Sequence, residues 1–145
     1  MKVNKNKSLN KLLDYNWKGD LPDEDNTSYE EYNYYKLIDK PLKKYDPSDI
    51  YFMIGQNTGL DYLIPMAIEL LLKDIFLEAE DYCGDLLINV MKIKEEEWSK
   101  FKKEKKKLIS LLKSNIKTIK DLEEEPKRTQ KFLKKEITKF LEKYS

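Results

Sequence analysis

Histidine is absent from this chain of 145 residues, which also has a single cysteine, Cys83, and a single arginine, Arg128. Without histidine, neither a Ser-His-Asp or Cys-His catalytic group nor a His-containing zinc site can be built. The commonest general acid or base near pH 7 is also missing. We therefore expect a protein that is not an enzyme, and we expect Cys83, which no histidine can activate, to be a partly buried small residue.

Long hydrophobic runs are missing too. The longest nearly uncharged stretch, residues 50–68, contains two glycines, a proline and Asp61, which excludes a membrane span. The basic first residues are not followed by the apolar run of a signal peptide. Since one thiol cannot form an intramolecular disulfide, a reducing compartment is the natural one. We expect a cytoplasmic protein with no membrane partner.

Charge is abundant and nearly balanced, with 28 basic and 27 acidic residues. The balance hides an asymmetry. Residues 1–91 contain 10 lysines and 17 acids, net −7, whereas residues 92–145 contain 17 lysines, Arg128 and 10 acids, net +8. The pattern predicts one domain over residues 1–145 with two faces of opposite potential, or an acidic body with a basic arm.

Several helix starts can be predicted from capping residues. Ser28 with Glu31 forms a capping-box pattern, and Asp46 followed by Pro47 and Asp49 predicts a second helix start. A third, largely apolar helix is placed near residue 61, so that Pro65 falls in its first turn, where a missing N–H costs least. Residues 74–83 look irregular, and Gly84-Asp85 should open another helix.

The C-terminal third predicts two further helices. Apolar residues recur at helical spacing from residue 94 to 119, which indicates one long amphipathic helix, and Pro126 should break the chain. A second helix follows, with an apolar face made of Leu133, Ile137, Phe140, Leu141 and Tyr144. No segment alternates with a period of two. We therefore predict an all-α, compact multi-helix domain that ends in a Lys-rich α-hairpin over residues 92–145.

No motif for a metal or a nucleotide is present. Gly55 and Gly59 lie four residues apart, but without the lysine and the strand of a phosphate-binding loop they indicate a tight connection with positive φ at glycine. Carboxylate pairs such as Asp81/Asp85 arise by chance in a chain with 27 acids. We expect no metal and no cofactor, and a metal-dependent carboxylate enzyme is kept only as a third possibility.

Two surface features have two readings each. The cluster Tyr29, Tyr32, Tyr34 and Tyr35 is either a binding face or a set of tyrosines that alternately pack and lie on the surface. The lysine-rich region of residues 100–120 is either a solvated helix face or a nucleic-acid-binding face. Interleaved glutamates and the shortage of arginine favour the solvated face, so nucleic acid is not the expected partner.

The central stretch resembles a known family. In order and spacing, it is similar to the immunity proteins of contact-dependent growth inhibition (CDI) systems, and the likeness covers roughly residues 12–91. The matching elements, which follow an aromatic element at Tyr15, Trp17 and Gly19, are Lys40-Pro41-Leu42, Asp49-Ile50, Ile54-Gly55-Gln56, Gly59-Leu60, Tyr62-Leu63, Pro65, Ala67-Ile68 and Gly84-Asp85-Leu86-Leu87. Residues 92–145 have no counterpart in this resemblance.

The resemblance implies a cytoplasmic protein that binds and blocks a toxin domain, often a nuclease, delivered by a neighbouring cell. It also implies that the recurring residues Pro41, Gly55, Gln56, Gly59, Leu60, Pro65, Gly84 and Asp85 are structural. From the −7 half, we hypothesise that the toxin is met by Asp20, Asp23, Glu24, Asp25, Glu30, Glu31 and Tyr34. The alternative is a Lys-rich helical module that binds nucleic acid or another protein.

Overall fold

The computed structural model describes residues 4–115, 117–118 and 128–144 of the chain. These residues form eight α-helices and no β-strand, which confirms the predicted all-α fold. The helices are α1 (Leu9–Leu12), α2 (Tyr29–Ile38), α3 (Pro47–Gly55), α4 (Leu60–Lys73), α5 (Asp85–Met91), α6 (Glu95–Trp98), α7 (Lys102–Ser114) and α8 (Arg128–Tyr144). Short 3₁₀ turns lie at Glu24–Asn26 and Leu42–Lys44.

The predicted N-caps of α2 and α3 are confirmed, and of the capping box predicted at α2 the bond to Ser28 is present. The Ser28 hydroxyl accepts a hydrogen bond from the backbone N–H of Glu31 at 3.1 Å. At α3 the capping box is complete: Asp46 accepts from the N–H of Asp49 at 2.8 Å, and Asp49 accepts from the N–H of Asp46 at 3.1 Å. Each bond satisfies a backbone donor that the first turn of a helix leaves without an intrahelical partner.

The prediction that Pro65 lies in the first turn of α4 is wrong. The helix begins at Leu60, so Pro65 lies inside it, in its second turn. The proline removes one N–H donor from the helix interior. Its neighbours explain why the helix continues: Ile64, Met66, Ala67 and Ile68 are all buried, so the packing of α4 outweighs the lost bond.

The single long helix predicted from residue 94 to 119 is also wrong, because it is divided at residues 99–101. Short-range bonds from the N–H of Lys100 to the Glu97 carbonyl and from the N–H of Phe101 to the Trp98 carbonyl form a tight turn. Trp98 and Phe101 are both buried, and helical spacing alone does not reveal that the chain turns between them. Residue 119 and Pro126 lie outside the described residues, so the hairpin stays a prediction, although α7 and α8 are in contact.

The connection between α3 and α4 uses positive φ at Asn57 and Gly59, at +55° and +67°. Gly59 thus confirms the expected positive φ at a glycine of this connection, whereas Gly55 is the last residue of α3. At Gly59 the requirement is also steric, since a Cβ there would lie 2.8 Å from both methyl groups of Leu9.

Two compact units make up the chain, Met1–Leu63 and Ile64–Ser145, and their boundary falls within α4. In the first unit, α2 contacts α1 and α3, and its core includes Leu9, Leu37, Ile38, Leu42, Tyr45, Ile50, Met53 and Ile54. In the second unit, α8 contacts α5 and α7, and the core includes Leu86, Leu87, Trp98, Leu108, Leu112, Leu133, Ile137 and Phe140. The division lies within residues 12–91, and the prediction of one domain stays a prediction.

Candidate functional site

The predicted acidic site residues lie on one exposed segment of the first unit. We call residues 20–31 the acidic segment. Asp20, Asp23, Glu24, Asp25, Glu30 and Glu31 are all exposed there, and Tyr34 is half-buried one helical turn further on. Over residues 14–31 the chain contains seven acids and one lysine, so this stretch is locally strongly negative.

Two hydrogen-bonded caps order the acidic segment. Asp23 caps the 3₁₀ turn Glu24–Asn26, because its carboxylate accepts from the N–H of Asp25 at 3.1 Å and from the Asn26 side-chain amide at 2.6 Å. Ser28 then starts α2 and presents Glu30 and Glu31 in the first turn. Asp23 therefore stabilises a turn in addition to adding negative charge to the surface.

Large apolar side chains are exposed beside these acids. Tyr15, Leu21 and Tyr29 are 48%, 46% and 63% exposed, and only two other large apolar side chains are exposed in the part of the chain that the structure describes, Leu72 and Phe132. Exposed apolar groups with a polar surround are typical of protein-interaction surfaces. The sequence reading had placed charge in this segment but had not singled out Leu21.

An aromatic group lies next to the acidic segment. The rings of Trp17 and Tyr35 are 5.5 Å apart between centroids, and Tyr34 meets Tyr35 edge to face at 5.6 Å. Burial, and next the charge and hydrogen bond of Tyr34, raise the pKa of Tyr15. The tyrosine cluster therefore both packs and remains accessible, since Tyr34 and Tyr35 are half-buried whereas Tyr29 is exposed.

Asn10 fixes the backbone that carries Trp17. Its side-chain amide donates to the Trp17 carbonyl at 2.8 Å and its oxygen accepts from the Trp17 N–H at 3.0 Å. Asp14, Asn16 and Gly19 in this segment all have positive φ, at +54°, +56° and +83°. Backbone of this kind persists where the surroundings determine it, and such segments are often ligand clamps.

A cleft of about 190 Å³ opens between this segment and α2. We call it the aromatic cleft, and it is lined by Trp17, Gly19, Leu21, Tyr35, Lys36, Asp39 and Lys40. The Lys40 ammonium is paired with the Asp49 carboxylate at 2.6 Å. Asp39 and Asn10, which belong to separate parts of the chain, were not predicted as site residues. Within the sequence, only the Trp-Lys-Gly element at residues 17–19 pointed to this region.

Apart from Pro65, which lies inside α4, the recurring residues of the resemblance occupy turns and helix ends. Pro41 pairs with Ser8 in an isolated bridge, and Leu60 is buried at the start of α4. Gln56 is the C-cap of α3 through its backbone N–H, while its side chain is exposed. The structural role of these recurring residues stays a prediction.

Asp85 is fully buried, and its carboxylate binds backbone N–H groups. Its carboxylate accepts from the N–H groups of four loop residues at 2.7–3.4 Å, namely Ala79, Glu80, Asp81 and Tyr82. The carboxyl group therefore organises the loop of residues 74–83, which was predicted to be irregular. Cys83 was expected to be partly buried, but it is exposed. Its backbone pairs with that of Glu78 in an isolated bridge.

No group of three or more Cys, Asp or Glu side chains suited to a metal ion occurs within the described ranges. Over those same ranges, none of the helices has the length and apolar character needed to cross a membrane. The candidate site described above, the acidic segment with the aromatic cleft, lies in the first unit.

Comparison with known proteins identifies one family. The profile described as CDI immunity proteins matches residues 14–108, which is well over half of the 145 residues. Neither the curated proteins nor the solved structures gave a match. The matched range contains the acidic segment, the aromatic cleft and Asp85. The chain therefore belongs to the CDI immunity proteins, a family whose members bind and neutralise a cognate toxin protein.

Proposed function

We propose that this immunity protein acts in the cytoplasm on a toxin with nuclease activity and covers the basic surface with which that toxin binds nucleic acid. The observation that carries the proposal is the exposed acidic segment. Its carboxylates are held by a capped turn and a capped helix start. They offer negative groups to a basic surface, as the phosphates of a nucleic acid do. Nucleases bind phosphates through lysine and arginine, so their substrate surface is complementary in charge.

Exposed apolar groups within the same stretch make it more than a charged surface. Leu21 and Tyr29 supply contact area that can be desolvated, whereas surface ion pairs alone contribute little affinity. The acidic residues would then accelerate and orient association, and the apolar residues would slow dissociation. A blocking role also needs no catalytic group, and the family is one of inhibitors.

The proposal is tested with charge reversal that leaves the caps intact. Glu24→Lys, Asp25→Lys and Glu30→Lys are combined, because Asp23 and Ser28 are retained to hold the turn and the helix start. A matched control reverses three exposed acids of the second unit, Glu78, Glu96 and Glu142. Calorimetric titration with the cognate toxin domain should show a loss of affinity of about 100-fold or more for the first variant and less than about 5-fold for the control. Equal affinities for the two variants would refute this placement.

A second candidate is binding of nucleic acid by α8. Lys131, Lys135 and Lys139 recur every four residues on this helix and are exposed, so they share one face. Lys139 lies 3.6 Å from Glu136, which reduces the charge available. Titration of fluorescent duplex DNA or RNA at rising salt distinguishes the two, since phosphate contacts give a steep fall of affinity with salt.

A further inference from the structure

We propose that the aromatic cleft receives an arginine side chain of the toxin. This inference rests on the proposed function, because it takes the toxin as the partner and names the anchor that it inserts. With about 190 Å³, the cleft is smaller than the roughly 300–1,000 Å³ of small-molecule pockets, and it fits one protruding side chain.

The cleft is held ready for an occupant. The two hydrogen bonds between the Asn10 side chain and the Trp17 backbone, one donated and one accepted by Asn10, fix one wall. The Asn10 amide also lies 3.4 Å from the Asp39 carboxylate. The ring of Tyr35, from α2, lies 5.5 Å from that of Trp17 between centroids and is tilted by 33°, so the two aromatic side chains support each other. A wall formed before binding lowers the ordering cost of association.

The lining favours a planar cation. Trp17 and Tyr35 offer aromatic faces, and Asp39 supplies an exposed carboxylate at the end of α2, where its backbone caps the helix. Of the two lysines in the lining, Lys40 is held by Asp49, and Lys36 is exposed to solvent. A guanidinium can stack on an aromatic ring and pair with a carboxylate at once, which the compact ammonium of lysine does less well.

The surroundings match this choice. The acidic segment lies immediately next to the cleft in sequence, and Leu21 belongs to both. A basic toxin surface drawn to the acidic segment would therefore present arginine at the mouth of the cleft. Gly19 leaves room there, since the nearest atom to a Cβ built on it is the Asp39 carboxylate oxygen at 3.9 Å.

The probe is N-acetyl-arginine methylamide, titrated into the ¹⁵N-labelled chain and followed by NMR. The indole N–H of Trp17 and the amide of Gly19 should shift saturably, with a dissociation constant in the millimolar range. The indole of Trp98, which is fully buried in the second unit, should not move. The citrulline analogue, which has the same shape without charge, and the lysine analogue should each bind about 5-fold or more weakly.

Two variants locate the site. Asp39→Asn keeps an oxygen for Asn10 but removes the charge, and it should weaken arginine binding about 3-fold or more with an unchanged melting temperature. Asp61→Asn, which changes an exposed aspartate of the same unit, should leave arginine binding unchanged. The inference would be overturned if the Trp17 and Gly19 signals did not shift during the titration. It would also be overturned if the citrulline or lysine analogue bound as tightly as the arginine analogue.

The two proposals fail separately. If the probe does not bind but the charge reversal of residues 24, 25 and 30 abolishes toxin binding, the cleft inference is wrong and the acidic segment still meets the toxin. If the probe binds but that variant keeps full toxin affinity, the proposed placement is wrong. With the toxin itself, Trp17→Ala should lower affinity about 10-fold or more, and Leu72→Ala, an exposed residue of the second unit, should not.

Discussion

Gly84 packs closely against the side chain of Leu133: a Cβ built on Gly84 would come within 2.6 Å of a Leu133 methyl carbon. The glycine opens α5 at a φ of +87°, inside the range that the family profile matches, and the leucine belongs to α8, outside that range. The lysine-rich C-terminal helix is thus packed on a recurring residue of the family. It is part of the core of the second unit.

Replacement of Gly84 tests this packing. Gly84→Ala should destabilise the chain by about 2–5 kcal/mol, because left-handed backbone costs an alanine about 1–2 kcal/mol and overpacking adds about 1–3 kcal/mol. In urea unfolding, the double variant Gly84→Ala/Leu133→Ala should cost less than the sum of the single variants by about 1 kcal/mol or more. Gly19→Ala, also at positive φ but with open space, should cost only the backbone part. Additive Gly84 and Leu133 costs would contradict the contact.

Removal of α8 provides a coarser test. Leu133, Ile137 and Phe140 are buried, so deletion of residues 128–145 should abolish the cooperative unfolding transition of the second unit. Lys131→Ser/Lys135→Ser, which changes only exposed positions of the same helix, should shift stability by less than about 0.5 kcal/mol. A truncated chain that keeps its near-ultraviolet circular dichroism and its transition would show that the helix is dispensable.

Substitution of Asp85 should loosen its loop. Asp85→Asn keeps the size of the side chain but replaces one of the acceptor oxygens with an amide that faces backbone donors, so a cost of about 2 kcal/mol or more is expected. Hydrogen exchange should speed up at the amides of Ala79, Glu80 and Asp81. The control Glu78→Gln, an exposed position of the same loop, should be within about 0.5 kcal/mol of the parent chain. Unchanged exchange in Asp85→Asn would contradict the assigned role.

Because the Tyr45 hydroxyl is buried, we expect the stability of the fold to depend on pH in the alkaline range. This hydroxyl donates to the Leu37 carbonyl at 2.7 Å, and burial, followed by the charges of Asp49 and Tyr34, raises its pKa above the ordinary value. Because the folded pKa lies above the unfolded value, the contribution is complete below a pH of about 10 and is lost as the pH rises further. Tyr45→Phe should cost about 1 kcal/mol at pH 7 and should lose stability less steeply above pH 10. Parallel alkaline profiles of the two proteins would contradict this.

The parts of the fold that local chemistry determines could be predicted. Ser28 and the Asp46-Pro47-Asp49 element act within one turn, so their caps were found where expected. The turn between α6 and α7 was missed because Trp98 and Phe101 fit the spacing of one continuous helix. Positive φ was expected at glycine and occurs at Gly59, but the positive φ of Asn57 in the same connection was not foreseen.

The candidate site could be predicted only in part. The acids of residues 20–31 are visible as composition, and a loop rich in acids is expected to be exposed. The aromatic cleft brings Asn10, Trp17, Tyr35 and Asp39 together from separate elements, and no spacing rule connects them. For the same reason Asp85 was seen as a carboxylate near Asp81 rather than as an acceptor of four backbone N–H groups, since the sequence does not show where a loop directs its amides.

The most direct measurement is a competition between this chain and nucleic acid for the toxin. A catalytically inactive variant of the cognate toxin domain is bound to a fluorescent nucleic acid, and the immunity protein is titrated in while anisotropy is followed. We predict that the parent chain displaces the nucleic acid completely, and that the variant with Glu24, Asp25 and Glu30 reversed to lysine fails to do so at the same concentrations. Formation of a ternary complex, in which the toxin keeps its nucleic acid while the chain is bound, would contradict the proposed function.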